Sequence, residues 1–125
     1  MKRIIKLAYN HLSNDKVMSY LIDKFGDKIN WGNRYNSNYA LSIANLIIEQ
    51  QISFKAAITV KKRFAKILDK KSESEIMNMS NSDLQSIGIS FRKAEYIKNV
   101  FYFFKLKTID FDKMSNKEVI DCLVS

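Results

Sequence analysis

Residues 39–64 read YALSIANLIIEQQISFKAAITVKKRF, and this stretch decides the fold. From Tyr39 to about Gln50 the residues Ala40, Leu41, Ile43, Ala44, Leu46, Ile47 and Ile48 follow one another with little polar interruption. They fall on nearly every side of a 3.6-residue period. A helix over 39–50 is therefore expected to be buried on most sides and to form the centre of the molecule. A tight break follows at Gln51-Ile52. Ser53 then offers an N-cap oxygen to a helix over about Phe54–Leu68. In that helix Ala57, Val60, Phe64, Ile67 and Leu68 share one face, and Lys55, Lys62 and Lys66 run along another with Lys61 and Arg63 beside them.

Working outward, the pattern stays helical. Upstream, a helix is expected near Asn14–Phe25, ended by Gly26, and then a polar loop from Asp27 to Asn38 that contains Trp31 and Gly32. Downstream, short helices are expected near Glu73–Met79 and Asn81–Ile87, with Gly88 as a left-handed terminator. Ser90 caps a long helix over about Phe91–Lys105, and a last helix starts at Ser115. The segments Ser72-Glu73-Ser74-Glu75, Ser80-Asn81-Ser82-Asp83 and Ser115-Asn116-Lys117-Glu118 all have capping-box spacing, in which serine and carboxylate each take up a backbone N–H. There is no proline, there are only three glycines, and strand-like alternation is nearly absent. The fold class is all-α, and residues 1–125 read as a single helical domain. The last helix carries Val119, Ile120, Leu123 and Val124 on one face and reaches Ser125 without a terminator, so the bundle reads as incomplete at its C-terminus.

The 125 residues suit one domain with a modest core. At 46% hydrophobic and 27% charged the chain is expected to be soluble and folded. No apolar run approaches the roughly 18 residues of a membrane span. The start, Met1-Lys2-Arg3-Ile4-Ile5-Lys6, meets charge again too soon for a secretory signal. Cys122 is the only cysteine, so no internal disulfide can form, and a reducing cytoplasm is the expected location. The net charge of +8, from 21 Lys plus Arg against 13 Asp plus Glu, favours polyanionic partners, nucleic acid before an anionic membrane. A compositional bias towards Lys, Asn and Ile would give the same excess with no functional cause.

Local chemistry narrows the classes. One Cys and one His, His11, exclude a zinc cluster, and the glycines are too far apart for a phosphate-cradling loop. No cofactor is implied. Asp83, Glu95, Asp110, Asp112 and Asp121 read as caps, surface charges or linker residues. The lysine stripe over 55–66 is either a solvated helix surface or a phosphate-tracking one. The segment from Leu84 to Ile97 is more specific. An apolar helix end, Gly88, Ile89, Ser90 and a helix start with the small Ala94 on its inner face make a helix-hairpin-helix layout. In DNA-binding hairpins the turn's N–H groups and the second helix's N-terminus hold one phosphate. A second glycine is usual where this chain has Ser90, and a plain helix–turn–helix connection has the same outline. Phe91, Tyr96, Phe101, Tyr102, Phe103 and Phe104 crowd one helix, as core or as base-stacking rings.

Together these blocks resemble the DNA-3-methyladenine glycosylase II family of the helix-hairpin-helix DNA glycosylase superfamily. The resemblance is carried by Gln50, Gln51, Ile52, Ser53, Lys55, Ala56, Ala57 and Arg63-Phe64. A second block, Gly88-Ile89-Ser90 with Lys93-Ala94-Glu95-Tyr96-Ile97, follows at the family's separation. His11-Leu12 and Asp15 are similar to the opening of compact relatives. The resemblance implies a base-excision repair enzyme that removes alkylated bases of the 3-methyladenine type from double-stranded DNA, with no metal, cofactor or membrane. It implies flipping of the damaged nucleotide, with Gln50-Gln51-Ile52 as the minor-groove wedge. DNA contacts fall to Gln50, Gln51, Ser53, Lys55, Gly88, Ser90 and Lys93. The family's Gly-apolar-Gly hairpin and catalytic aspartate have no counterpart here, so no catalytic residue is named. The chain alone is expected to be an inactive portion of such an enzyme, with exposed apolar surface that would favour self-association. A non-catalytic basic DNA-binding module and a helical interaction domain are the other readings of the same residues.

Overall fold

Seven side chains set where helices begin. Asp15, Asn38, Ser53, Ser72, Ser80, Ser90 and Ser115 each accept a backbone N–H from the first turn that follows, N–H groups that an α-helix itself leaves without partners. The computed structural model describes residues 2–30, 32 and 36–125. Among these the helices are α1 (Lys2–Leu12), α2 (Lys16–Phe25), α3 (Tyr39–Glu49), α4 (Phe54–Leu68), α5 (Glu73–Asn78), α6 (Asn81–Gln85), α7 (Phe91–Leu106) and α8 (Asn116–Val124). Short 3-10 turns cover Gly26–Lys28 and Phe111–Lys113, and no strand occurs among the described residues. The all-α class stands.

By its contacts the chain separates into two compact units, Met1–Tyr35 and Asn36–Ser125. In the first unit, α1 had no counterpart in the expected helices, because its lysines and arginine obscured the spacing of Ile5, Tyr9 and Leu12. The Tyr9 hydroxyl donates to the Gly26 carbonyl at 3.2 Å. Gly26 lies in ordinary right-handed backbone, φ −54°, so it does not end α2 by a left-handed turn. Its missing Cβ matters instead, because that atom would sit 3.2 Å from the Tyr9 ring. The expected loop from Asp27 begins inside the 3-10 turn, and its Trp31 lies outside the described residues.

The second unit holds the core. Ala40, Ala44 and Ile48 of α3, Val60 and Phe64 of α4, Ile76 of α5, Leu84 of α6 and Ala94, Ile97 and Phe101 of α7 are buried together with Ile87 and Ile89 from the α6–α7 turn. The most extensive packing is α3 on α7, with α4 against α3 and α5 and α6 against α7. α3 is central but not enclosed all round: Leu46 is 56% exposed. Its neighbours α4 and α7 cover part of its circumference, and the buried residues form one stripe at four-residue spacing. The Phe64 and Phe101 rings tilt against each other at 6.3 Å. Beyond α7, Phe111 sets its ring edge-on to Tyr39 at 4.8 Å, which anchors the second 3-10 turn to the start of α3.

Capping boxes close at two of the three expected places. Glu75 and Glu118 each reach back to the N–H of their serine at 2.7 Å. At Ser80 only the serine half forms, as Asp83 is one methylene shorter. The N–H and hydroxyl bonds from Ser72 and Ser115 hold the Glu75 and Glu118 carboxyls below the usual glutamate range. A lowered folded pKa means stabilisation that is present above the ordinary glutamate value and lost as the pH falls through the folded value. Amide protection factors at the starts of α5 and α8, taken relative to the intrinsic exchange rate at each pH, should therefore fall as the pH drops through the lowered glutamate values. Phe101→Ala should lower stability by about 3–5 kcal/mol in urea denaturation, whereas Tyr102→Ala, half-exposed on the same helix, should stay within about 0.5–1 kcal/mol.

Candidate nucleic-acid interface

The turn between α6 and α7 is built from alternating burial. Ile87 and Ile89 are 4% and 7% exposed and anchor it in the core, while Gly88 between them is exposed with φ 105°. The Gly88 N–H closes on the Gln85 carbonyl at 2.9 Å. From α4, Arg63 Nη1 donates to the Ile87 carbonyl at 3.2 Å. From α7, Lys98 Nζ donates to the Met79 carbonyl and to Asn81 Oδ1, each at 3.0 Å. Arg63 thus pins the α6–α7 turn from α4, whereas Lys98 holds the preceding α5–α6 connection. Ser90 has φ −72° and ψ 162°, extended backbone that needs no glycine, which is why serine is tolerated where the hairpin pattern usually has one. Its hydroxyl accepts the Lys93 N–H at 3.2 Å. The N–H groups of Phe91 and Arg92, both exposed, belong to the set a helix start leaves without intrahelical partners.

The second candidate element is the four-residue link from α3 to α4. Gln50, Gln51, Ile52 and Ser53 are all exposed. Gln51 has φ 56° and is the one non-glycine residue with positive φ among those described. For an L-residue this conformation costs about 1–2 kcal/mol. Ser53 is held as the α4 cap, accepting from the Ala56 N–H at 3.1 Å. Phe54, the first residue of α4, is 82% exposed.

These two elements, some forty residues apart in sequence, meet through one side chain. Lys93 Nζ donates to the Ile48 carbonyl at 3.0 Å and to the Gln50 carbonyl at 2.6 Å. Of the residues nominated from sequence, Gln50, Gln51, Lys55 and Gly88 face outward. Ser53, Ser90 and Lys93 have polar groups engaged in holding backbone. The stripe of Lys55, Lys62 and Lys66 is exposed along α4. Its flanking cations bond to the chain itself, the half-buried Lys61 pairing with Glu49 and the exposed Arg63 donating to the turn. Sequence reasoning missed Phe54, whose position continues the buried period of α4 but lies past the edge of the core, and the holding roles of Arg63 and Lys98. Among the described residues no group of three His, Cys, Asp or Glu could hold a metal ion, and no helix is long and apolar enough to cross a membrane.

The described residues thus present an exposed hairpin turn, a strained polar loop and an exposed lysine stripe on an all-helical scaffold. The model of the HhH-GPD superfamily base excision DNA repair protein matches residues 44–105. Residues 44–105, just under half of the chain, are thus similar to a base excision DNA repair domain, a kind of domain that implies DNA binding. No curated protein and no solved structure shows significant similarity to the chain.

Two substitutions test the backbone reading. Gln51→Gly should leave stability unchanged or raise it by up to about 1 kcal/mol, as relief of the left-handed strain competes with glycine's greater entropy. Gly88→Ala should cost more than about 1 kcal/mol, because its φ of 105° is unfavourable for alanine and the added Cβ would meet Val60 at 3.4 Å. Both are read from chemical denaturation midpoints.

Proposed function

We propose that the chain is a duplex-gripping domain of the DNA glycosylase type that acts on alkylated bases of the 3-methyladenine kind. The observation that carries the reading is the junction of the Gln50–Gln51 loop with the Gly88 turn through Lys93. A wedge and a backbone grip are useful only if they act on the same stretch of duplex. In this reading the Gly88–Arg92 backbone approaches a phosphate at the α7 N-terminus. Lys55, Lys62 and Lys66 track neighbouring phosphates. Gln51 enters the minor groove where the damaged nucleotide leaves the stack.

An alkylated purine carries positive charge and is already a good leaving group. The chemistry then asks chiefly for a carboxylate near the oxocarbenium-like sugar. No acid of this chain is assigned that part: Glu49, the acid next to the loop in sequence, is paired with Lys61. The chain by itself is proposed to bind without cleaving.

The test is fluorescence anisotropy with duplexes that carry 3-deaza-3-methyladenine, uracil, 8-oxoguanine or no lesion. The expected order places the methylated duplex first, with a steep salt dependence. Lys55→Ala and Lys62→Ala should weaken all four alike and reduce the salt slope by about 1 each. A preference for uracil or 8-oxoguanine would overturn the alkyl-base reading, and no duplex binding would favour a helical interaction domain. Incubation with methylated duplex should release no 3-methyladenine. Release abolished by replacing one of the chain's own acids would refute the non-cleaving assignment.

A further inference from the structure

We infer that Lys93 is a positioning residue, not a phosphate ligand: its ammonium fixes the Gln50–Gln51 loop in register with the Gly88–Ser90 turn. The consequence for DNA rests on the function proposed above, whereas the clamp itself does not.

Three features of its surroundings point this way. First, the ammonium is directed at backbone. It donates to the Ile48 and Gln50 carbonyls at 3.0 and 2.6 Å, at the C-terminal end of α3, where carbonyls lack intrahelical partners and the helix dipole favours a cation. A lysine with two of its three donors so placed, on a half-buried stem, has little left to offer a phosphate. Second, the residue after the clamped carbonyl is Gln51, held at φ 56°. A left-handed non-glycine residue persists where its surroundings over-determine it. The loop is bounded on one side by the Lys93 clamp on Gln50 and on the other by the Ser53 cap, whose oxygen holds the Ala56 N–H at 3.1 Å. Third, Lys93 joins the turn at its own backbone, because its N–H donates to Ser90 Oγ at 3.2 Å. One residue thus bonds both elements, through its main chain to the turn and through its side chain to the loop. The neighbouring lysine on α7, Lys98, makes a similar clip to the α5–α6 connection, through Met79 and Asn81, and provides the control.

Lys93→Met keeps the stem and deletes the donors, and Lys93→Arg keeps donors at a similar reach. Without DNA, 15N relaxation should show the Gln51 and Ile52 amides falling from near the rigid value of about 0.85 to below about 0.6 in Lys93→Met, with Ile97 unchanged. Order parameters that stay at the wild-type value would overturn the clamp whatever the chain binds. With DNA, affinities for a duplex carrying a tetrahydrofuran abasic analogue and for the intact duplex are compared. Lys93→Met should reduce the wild-type preference for the abasic duplex by about ten- to a hundredfold, the scale on which small misplacement acts. Intact-duplex affinity and its salt slope should be unchanged. Lys93→Arg should restore most of the preference, and Lys98→Met should leave it intact.

A slope lower by about 0.9 in Lys93→Met would make Lys93 a phosphate ligand and sink the inference, as would a retained preference. If the wild-type chain itself shows no preference for the abasic duplex, the proposed function fails and the clamp stands or falls on the order parameters.

Discussion

The close approach of α3 and α7 is the constraint on which the rest depends. Ala44 and Ala94 are fully buried in the shared core, and no pair of helices packs more extensively than these two. Small residues let two helix backbones come near. With them near, a lysine one position before Ala94 can span from α7 to the terminal carbonyls of α3. Replace that packing with bulkier contacts and the two exposed elements would no longer share a rigid base. Ile48 and Ile97, also fully buried, extend the same interface and fix the register in which the helices meet.

A consequence concerns the charge. The excess of +8 suggests a uniformly basic surface, but the folded chain divides its cations into two sets. Arg63, Lys93 and Lys98 donate to main-chain carbonyls, Lys105 to Ser74 and Lys61 to Glu49. These hold helix ends and turns in place, where an unsatisfied carbonyl would otherwise have to find water. Lys55, Lys62, Lys66 and Arg92 remain outward. The cations that hold turns and helix ends are therefore different residues from the exposed Lys55, Lys62 and Lys66 stripe, although both kinds share α4.

Strain is confined to the same neighbourhood. Gln51 carries the described chain's non-glycine positive φ, two residues from a helix cap on one side and next to a clamped carbonyl on the other. Ile52 and Phe54 beside it are exposed, an arrangement that core packing would not select. Rigid supports beneath a strained, exposed loop are the arrangement expected where a side chain must be presented to a partner and not packed away.

Much of the fold was legible in sequence because its signals are local. Serines at the starts of α4, α5, α6, α7 and α8 and the buried stripe of α4 fix helix type and position to within a residue or two. The exceptions were also local. α1 hid behind its charges, and Asp15 and Asn38 act as caps that the serine pattern did not draw attention to. The two sequence blocks could be found by their residues, but their meeting could not. Whether Lys93 reaches Gln50 depends on how far α7 lies from α3 and at what rotation, and that distance is set by the volumes of alanines and isoleucines on elements some forty residues apart. Local hydrogen bonding thus determined where each helix starts and stops, whereas which lysines turn inward was decided only when side chains packed across the core.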